Sequence, residues 1–424
     1  MVRPHARGGL GEVFLAIDCE LNREVALKEI QVRHADEPVN RARFLLEAEV
    51  TGRLEHPGIV PVYGLGHYPD GRPYYAMRFI RGESLKSAIG RFHANKGTDR
   101  GRGERELELR RLLGQFLEVC NPIAYAHSRG ILHRDIKPEN VMLGPFGEVL
   151  VVDWGLARQV GQADRDDNRQ PVVSSTPIGT GFTLDGSLLG TPQFMSPEQA
   201  QGKLADLGPA SDIYSLGATL YCLLTGRSPF EGSDLATILA RVVTGEFPAP
   251  RRLVRSIPKG LEAICLKAMN LRPEHRYATA RALADDVERW MADEPVSARR
   301  DSLPTTVVRW LRHRPMFLPW IAIFAIIDFA VVVDSPTVQA LLGQQVAVLK
   351  LSLKNLLLIT VCFVQIQTLI GAAFGALVGL FRGGVMPAVE RGAGRGFLIG
   401  FVLVAIFAAI GGVLLLSTLW LGFR

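Results

Sequence analysis

At 424 residues the chain is long enough for two or three domains, and 48% hydrophobic residues is high for a purely soluble protein. A net charge of +6 argues for neither nucleic acid nor an acidic substrate as partner. Five cysteines (Cys19, Cys120, Cys222, Cys265, Cys362), far apart and without a CxxC pair, fit free thiols in a reducing compartment.

The opening "MVRPHARGG" has no apolar core, so no signal peptide is expected there. "HARGGLGEVFLAID" joins a glycine cluster to an alternating apolar run (Val13, Leu15, Ile17), which reads as a tight turn between two strands. Glycines there let backbone N–H groups approach a phosphate unobstructed, although most such turns are only turns. "REVALKEI" predicts a strand with Lys28 among apolar neighbours, and a buried lysine needs an anionic partner. The helix expected next runs to about Leu54 and offers Glu47 and Glu49, of which Glu47 lies in the apolar Phe44–Leu45–Ala48 stretch. "GRFHANKGTDRGRGERE" from Gly90 reads as a Gly/Arg-rich surface loop of unassigned role.

In "LHRDIKPENVMLG", two acids, three basic residues and one Asn occupy the eight positions from His133 to Asn140, beside a hydrophobic run. Asp135, Lys137 and Asn140 stand at offsets of two and five, and "VLVVDWG" puts Asp153 at the end of an apolar strand. Hard oxygen ligands such as Asp153 and the Asn140 amide suit Mg²⁺, which takes one or two protein ligands plus phosphate oxygens. Asp135 could then accept the proton of a hydroxyl while Lys137 neutralises a transferring phosphoryl group. Singly, each of these groups would more often be surface charge.

Charge falls away beyond the polar, Pro-containing stretch "DDVERWMADEPVSARRDSLP". From Met316 to Arg424 there are three acids and six bases, against 39 and 42 in the first 315 residues. Three stretches there reach membrane length, at 316–333, 356–381 and 396–422, since roughly 20 apolar residues cross a bilayer core. Arg309, Arg312 and Arg314 before the first, and three Arg in the loop 382–395, place those sides in the cytoplasm and the C-terminus outside. Lys350 and Lys354 in the intervening loop are a weaker counter-signal. Gly371, Gly375 and Gly379 form either a helix-pairing face or ordinary glycine enrichment. Gln365 and Gln367 are too few polar groups for a transporter.

Taken in order, "GGLGEV", "VALK", "HRDIKPEN", "DWG", "SPE" (Ser196–Glu198), "SDIYSLG" from Ser211 and "RPEHRY" from Arg272 make residues 1–292 resemble the eukaryotic-like (Hanks-type) serine/threonine protein kinases. The apolar C-terminal region makes the chain similar to their bacterial transmembrane members. The resemblance implies an α+β bilobal fold: a β-rich N-lobe (1–77), a hinge (78–82) and a helical C-lobe (83–292). A juxtamembrane linker (293–315) and the membrane helices (316–424) would follow. It implies ATP and Mg²⁺, or Mn²⁺ in its place, as cofactors, and proteins carrying Ser/Thr as substrates. A lipid bilayer and a second copy of the chain join the expected partners, with the kinase domain cytoplasmic. The rival reading is a nucleotide-binding pseudokinase serving as a membrane-tethered scaffold.

By the resemblance, Gly8, Gly9 and Gly11 form a lid over the ATP phosphates, and Val13 and Ala26 cover adenine. Lys28 grips phosphate and pairs with Glu47, Met77 backs the adenine pocket, and backbone from Arg78 to Ile80 bonds the base. Asp135 and Lys137 are the catalytic pair, with Asn140 and Asp153 on the metal. His133 and Arg134 precede the catalytic Asp, Glu198 pairs with Arg276, and Asp212 anchors the catalytic loop. The 44 residues between Asp153 and Glu198 become the activation segment, carrying Ser174, Ser175, Thr176, Thr180, Thr183, Ser187 and Thr191. Arg134 marks kinases switched on by a phosphate in that segment, whereas Thr191 is expected to contact the substrate site. Three departures stand out: Ala6 replaces the usual first lid glycine, Trp154 replaces Phe, and a first strand cut short is expected because only five residues precede Ala6.

Overall fold

The computed structural model describes residues 2–94, 101–159, 191–232 and 234–299. The chain divides into two compact units, Met1–Asp301 and Ser302–Arg424, and the second lies outside the described residues. The three expected membrane spans and the glycine face fall there. Among the described residues no helix is long and apolar enough to cross a membrane.

The N-terminal part is a five-stranded antiparallel sheet with one principal helix. Strands β1 (Arg3–Arg7), β2 (Gly11–Asp18) and β3 (Arg23–Ile30) precede helices α1 (Val32–Ala35) and α2 (Pro38–Arg53), then β4 (Val62–His67) and β5 (Pro73–Arg78). The sheet order is β1-β2-β3-β5-β4. Pro38 opens α2, where its missing N–H costs nothing. The first strand is present as five residues, all exposed. Ala6 pairs with Val13 inside it and stays out of the left-handed region, so the expected restriction from losing a glycine does not arise. Ala26 pairs with Leu15 and with Met77, and Lys28 pairs with Val13 and with Tyr75. With the two-residue period of a strand, Ala26 and Lys28 share one face of β3. The core of this part is small: Ile30, Ala35, Phe44, Ala48 and Tyr75.

The remainder is mostly helical. After β6 (Glu83–Ser84) come α3 (Leu85–Ala94) and α4 (Arg102–Ser128), then β7 (Ile131–Leu132), β8 (Val141–Leu143), β9 (Val149–Val151) and β10 (Arg158–Gln159). There follow α5 (Pro197–Ala200), α6 (Pro209–Thr225), α7 (Leu235–Thr244), α8 (Pro250–Leu253), α9 (Lys259–Ala268) and α10 (Ala280–Met291). Two small antiparallel sheets, β6-β8-β9 and β10-β7, carry the loops of the site. Helix α6 is buried at every residue from Ser211 to Thr225 and is the spine of a large continuous core. A side chain at Gly217 would meet Met269 Cγ at 2.7 Å and Ala268 Cβ at 2.8 Å, so the glycine is what lets α9 lie against α6.

Packing continues past α10 into the stretch read from sequence as linker. Buried Asp286 accepts hydrogen bonds from Ser297 N–H and Oγ–H (2.7 Å each), Ala298 N–H (3.0 Å) and the Tyr277 hydroxyl (2.8 Å). Val296 is buried alongside.

Candidate active site

Strand β3 and helix α2 meet through one ion pair. Lys28 Nζ lies 2.5 Å from Glu47 Oε1 and 3.9 Å from Asp153 Oδ1. The Tyr75 hydroxyl donates to the same Glu47 oxygen at 2.9 Å. Glu47 is buried, whereas Glu49 faces solvent and pairs with Arg53. Burial alone would lower the Lys28 pKa, but Glu47, Tyr75 and Asp153 outweigh it and hold the ammonium well above its usual value. The loop glycines adopt no left-handed backbone. Gly11 is required for a different reason: a Cβ there would sit 3.0 Å from the Glu29 carbonyl oxygen and 3.1 Å from Lys28 Cε. Ala26 is buried, while Val13, Met77 and Ile80 are partly buried.

On the other side, the segment His133–Asn140 wraps around two carboxylates. Asp212, fully buried on α6, accepts the N–H groups of His133 (2.9 Å) and Arg134 (2.8 Å). His127 Nε2 is 2.8 Å from the same carboxylate, a partner 85 residues away that no sequence signal links to it. Arg134 adopts φ 70°, an uncommon conformation for a side-chain-bearing residue. It is fixed there by Asp212 on its N–H and by the Gln199 amide on its carbonyl oxygen (2.8 Å). Asp135 is thereby presented to Lys137 Nζ (2.6 Å, on Oδ2), the Thr191 N–H (3.1 Å, on Oδ1) and the Asn140 amide (3.2 Å). Lys137 also donates to Thr191 Oγ1 at 2.6 Å. Thr191 therefore touches both members of the expected catalytic pair. The other six expected activation-segment positions, Ser174, Ser175, Thr176, Thr180, Thr183 and Ser187, lie outside the described residues.

Asp153 also has positive φ (64°), and its side chain is 49% exposed. Desolvation raises its pKa, yet Lys28, His133 and Lys137 outweigh that and keep it below the ordinary carboxylate range. Trp154 is buried and packs against the His133 ring at 4.5 Å, so the bulky replacement is absorbed. Asn140 spends its amide nitrogen on the Asp135 carbonyl oxygen (2.8 Å), which leaves Oδ1 as its acceptor atom. An ionised, half-exposed carboxylate and one amide oxygen fit Mg²⁺, which keeps most of its ligands as water and phosphate. Among the described residues no group of three His, Cys, Asp or Glu could hold a metal on its own.

Below the site, Arg276 binds Glu198 through both nitrogens (2.7 and 2.9 Å), and the Ser211 hydroxyl donates to Glu198 at 2.8 Å. Burial raises the Glu198 pKa, but Arg276, a backbone N–H and the Ser211 hydroxyl together hold it below the ordinary carboxylate value. Sequence reading missed Tyr75, His127, Gln199 and Ser211. Gln199 alone had a local signal, since Ser196 and Gln199 are spaced as a capping box and form one.

A β-sheet lobe and a helical lobe, with a lysine–glutamate pair facing an Asp–Lys–Asn cluster, define the protein kinase fold. The protein kinase domain family matches residues 6–287, and the chain belongs to that family. The chain is 34% identical over 293 residues to the serine/threonine-protein kinase PknD of Protochlamydia amoebophila, covering 69% of this chain and 30% of the relative. Against PknD of Chlamydia pneumoniae the identity is 35% over 327 residues, with 75% and 34% covered. Against PknD of Chlamydia felis it is 36% over 300 residues, with 70% and 31% covered. The chain thus spans about a third of the length of these curated relatives.

Proposed function

We propose that the protein transfers the γ-phosphoryl group of ATP to serine or threonine hydroxyls of proteins. The observation that carries this is the cluster in which Asp135 is held between Lys137, Asn140 and Thr191 while Lys28 bridges Glu47 toward Asp153. Asp135 accepts the hydroxyl proton as the oxygen attacks phosphorus, and ADP leaves with the bonding electron pair. Lys137 balances charge at the transferring group. Lys28, kept cationic by Glu47, binds phosphate oxygens, and Asn140 with Asp153 would hold Mg²⁺ (or Mn²⁺). The bound ion supplies charge neutralisation on the phosphates.

The scaffold alternative drew its support from Ala6 and from the few residues before it; Ala6 sits inside a paired strand where no glycine is required, and residues 3–5 among those before it form part of that strand. The wider proposal places the kinase domain on the cytoplasmic face of a membrane, anchored by the spans at 316–333, 356–381 and 396–422. There, paired copies would phosphorylate one another's activation segments. A reporter inserted near Gly383 should be found inside and one fused after Arg424 outside; both on one side would remove a span.

Incubating the full chain with Mg²⁺, radiolabelled ATP and a generic basic protein tests the activity. Label recovered as phosphoserine or phosphothreonine is expected. Label only as phosphotyrosine, or none from a chain that binds ATP, would overturn it.

A further inference from the structure

Gln31 follows β3 directly, and nothing in its own neighbourhood marks it as functional. It is 4% exposed; its Oε1 accepts from Arg7 Nη2 at 3.5 Å, and its amide nitrogen is spent on the glycine loop. Its Nε2 donates to the carbonyl oxygens of Gly8 (2.6 Å), Gly9 (3.4 Å) and Gly11 (3.4 Å). Its backbone N–H donates to the Leu10 carbonyl oxygen at 3.0 Å. Four carbonyl groups in a row of four residues therefore converge on one side chain and its own N–H.

The consequence follows from peptide geometry. All described peptide bonds are trans, and in a trans peptide the C=O of one residue is antiparallel to the N–H of the next. With the carbonyls of Gly8 and Gly9 directed at Gln31, the N–H groups of Gly9 and Leu10 point to the opposite side. Successive N–H groups on one side of a loop make an anion-binding surface. Without the Gln31 amide, the Leu10 and Gly11 carbonyls would keep their backbone donors, the N–H groups of residue 31 and Gly8, but those of Gly8 and Gly9 would lose the side chain that turns them to this side. Flexible glycines would then present carbonyl oxygens to a phosphate about as readily as N–H groups. The stem of Lys28 runs under the same loop, close enough that a Cβ on Gly11 would touch its Cε at 3.1 Å. Loop, Gln31 and Lys28 thus form one unit.

We propose that Gln31 is a positioning residue for the nucleotide phosphates, acting by polarising the glycine loop so that its N–H side faces them. The inference rests on the kinase reading above. It predicts a selective loss: the phosphate part of the ligand is affected and the adenine part is not. Gln31→Met keeps the volume and removes the donor. Gln31→Glu keeps the shape and turns the donor into an oxygen that repels the carbonyls.

Both variants of the full chain should bind Mg-ATP roughly five- to tenfold more weakly, the scale of one lost buried hydrogen-bonding group. Adenosine affinity should not change. KM for ATP should rise while KM for the protein substrate stays put, and melting temperature measured in parallel separates this from a damaged sheet. Unchanged Mg-ATP affinity, or equal losses for ATP and adenosine, overturns the role of Gln31 while leaving the kinase reading intact. Wild-type chain that binds Mg-ATP no better than adenosine overturns the kinase reading, and this inference with it.

Discussion

The two halves of the site are built on unequal foundations. Lys28 and Glu47 belong to a sheet and one helix whose buried core is five residues. Asp135 stands on a loop tied to Asp212 of α6, within a core that runs through most of the helices. Each half carries a buried ion pair, Lys28–Glu47 in one and Glu198–Arg276 in the other. The first has the Tyr75 hydroxyl at 2.9 Å and the Asp153 carboxylate at 3.9 Å. The second is embraced by Ser211 and by the carbonyl oxygens of Ala210, Asn270 and Leu271. On the proposed function the difference separates duties: the N-terminal pair would align the nucleotide, whereas the C-terminal pair would hold the fold around Glu198.

Variants can break that division. The largest effects belong to Lys28→Met and Asp153→Ala, which should each abolish turnover by different routes. The Lys28 variant should still bind ATP more tightly as Mg²⁺ is added, and the Asp153 variant should not. Identical metal responses would merge the two roles.

Next comes Arg276→Met. Removing one partner of a buried pair leaves Glu198 uncompensated and should cost about 3–5 kcal/mol in urea unfolding. Glu47→Gln keeps an acceptor for Tyr75 and should cost less stability than that, yet raise KM for ATP severalfold. Equal stability losses in the two variants would erase the contrast.

A smaller effect is expected in acid. Burial raises the Asp212 pKa, but His127, His133 and the Arg134 N–H outweigh it, so the folded value lies below the unfolded one. Its stabilising contribution is therefore complete above the unfolded value of about 3.9 and lost as pH falls through the folded one. The stability gap between wild type and Asp212→Asn should narrow below about pH 4, and a gap independent of pH would contradict the ionised form. Smallest is the kinetic sign of reaction between copies: initial autophosphorylation rates should rise faster than linearly with kinase concentration. Strict proportionality would favour reaction within one chain.

Much of this division was legible in the sequence where local chemistry is unusual. A lysine in an apolar strand demands a carboxylate, and the apolar setting of Glu47 against exposed Glu49 singled out the right one. Dense charge beside a strand at His133–Asn140 marked the loop that gathers Asp135, Lys137 and Asn140. Long-range hydrogen bonds were not legible: His127 to Asp212 spans 85 residues, Gln199 to the Arg134 carbonyl 65, and Tyr75 to Glu47 28. Such contacts depend on how helices and strands come together, which periodicity does not encode. Gln31 was missed for the converse reason, since a lone amide after a strand looks like any polar loop residue. The stretch after Ala292 reads as linker from its polarity, yet Asp286 satisfies its N–H groups and Val296 buries an apolar side chain.

Phosphate grip by Lys28 and proton acceptance by Asp135 reside in different halves of the proposed site. Measuring Mg-ATP affinity and phosphoryl transfer on the same preparation of Asp135→Asn tests this separation most directly. Affinity within about twofold of wild type, with transfer slower by about 10²–10⁴-fold, is the predicted result. Transfer at the wild-type rate would contradict the account, and so would a loss of transfer fully explained by lost ATP binding.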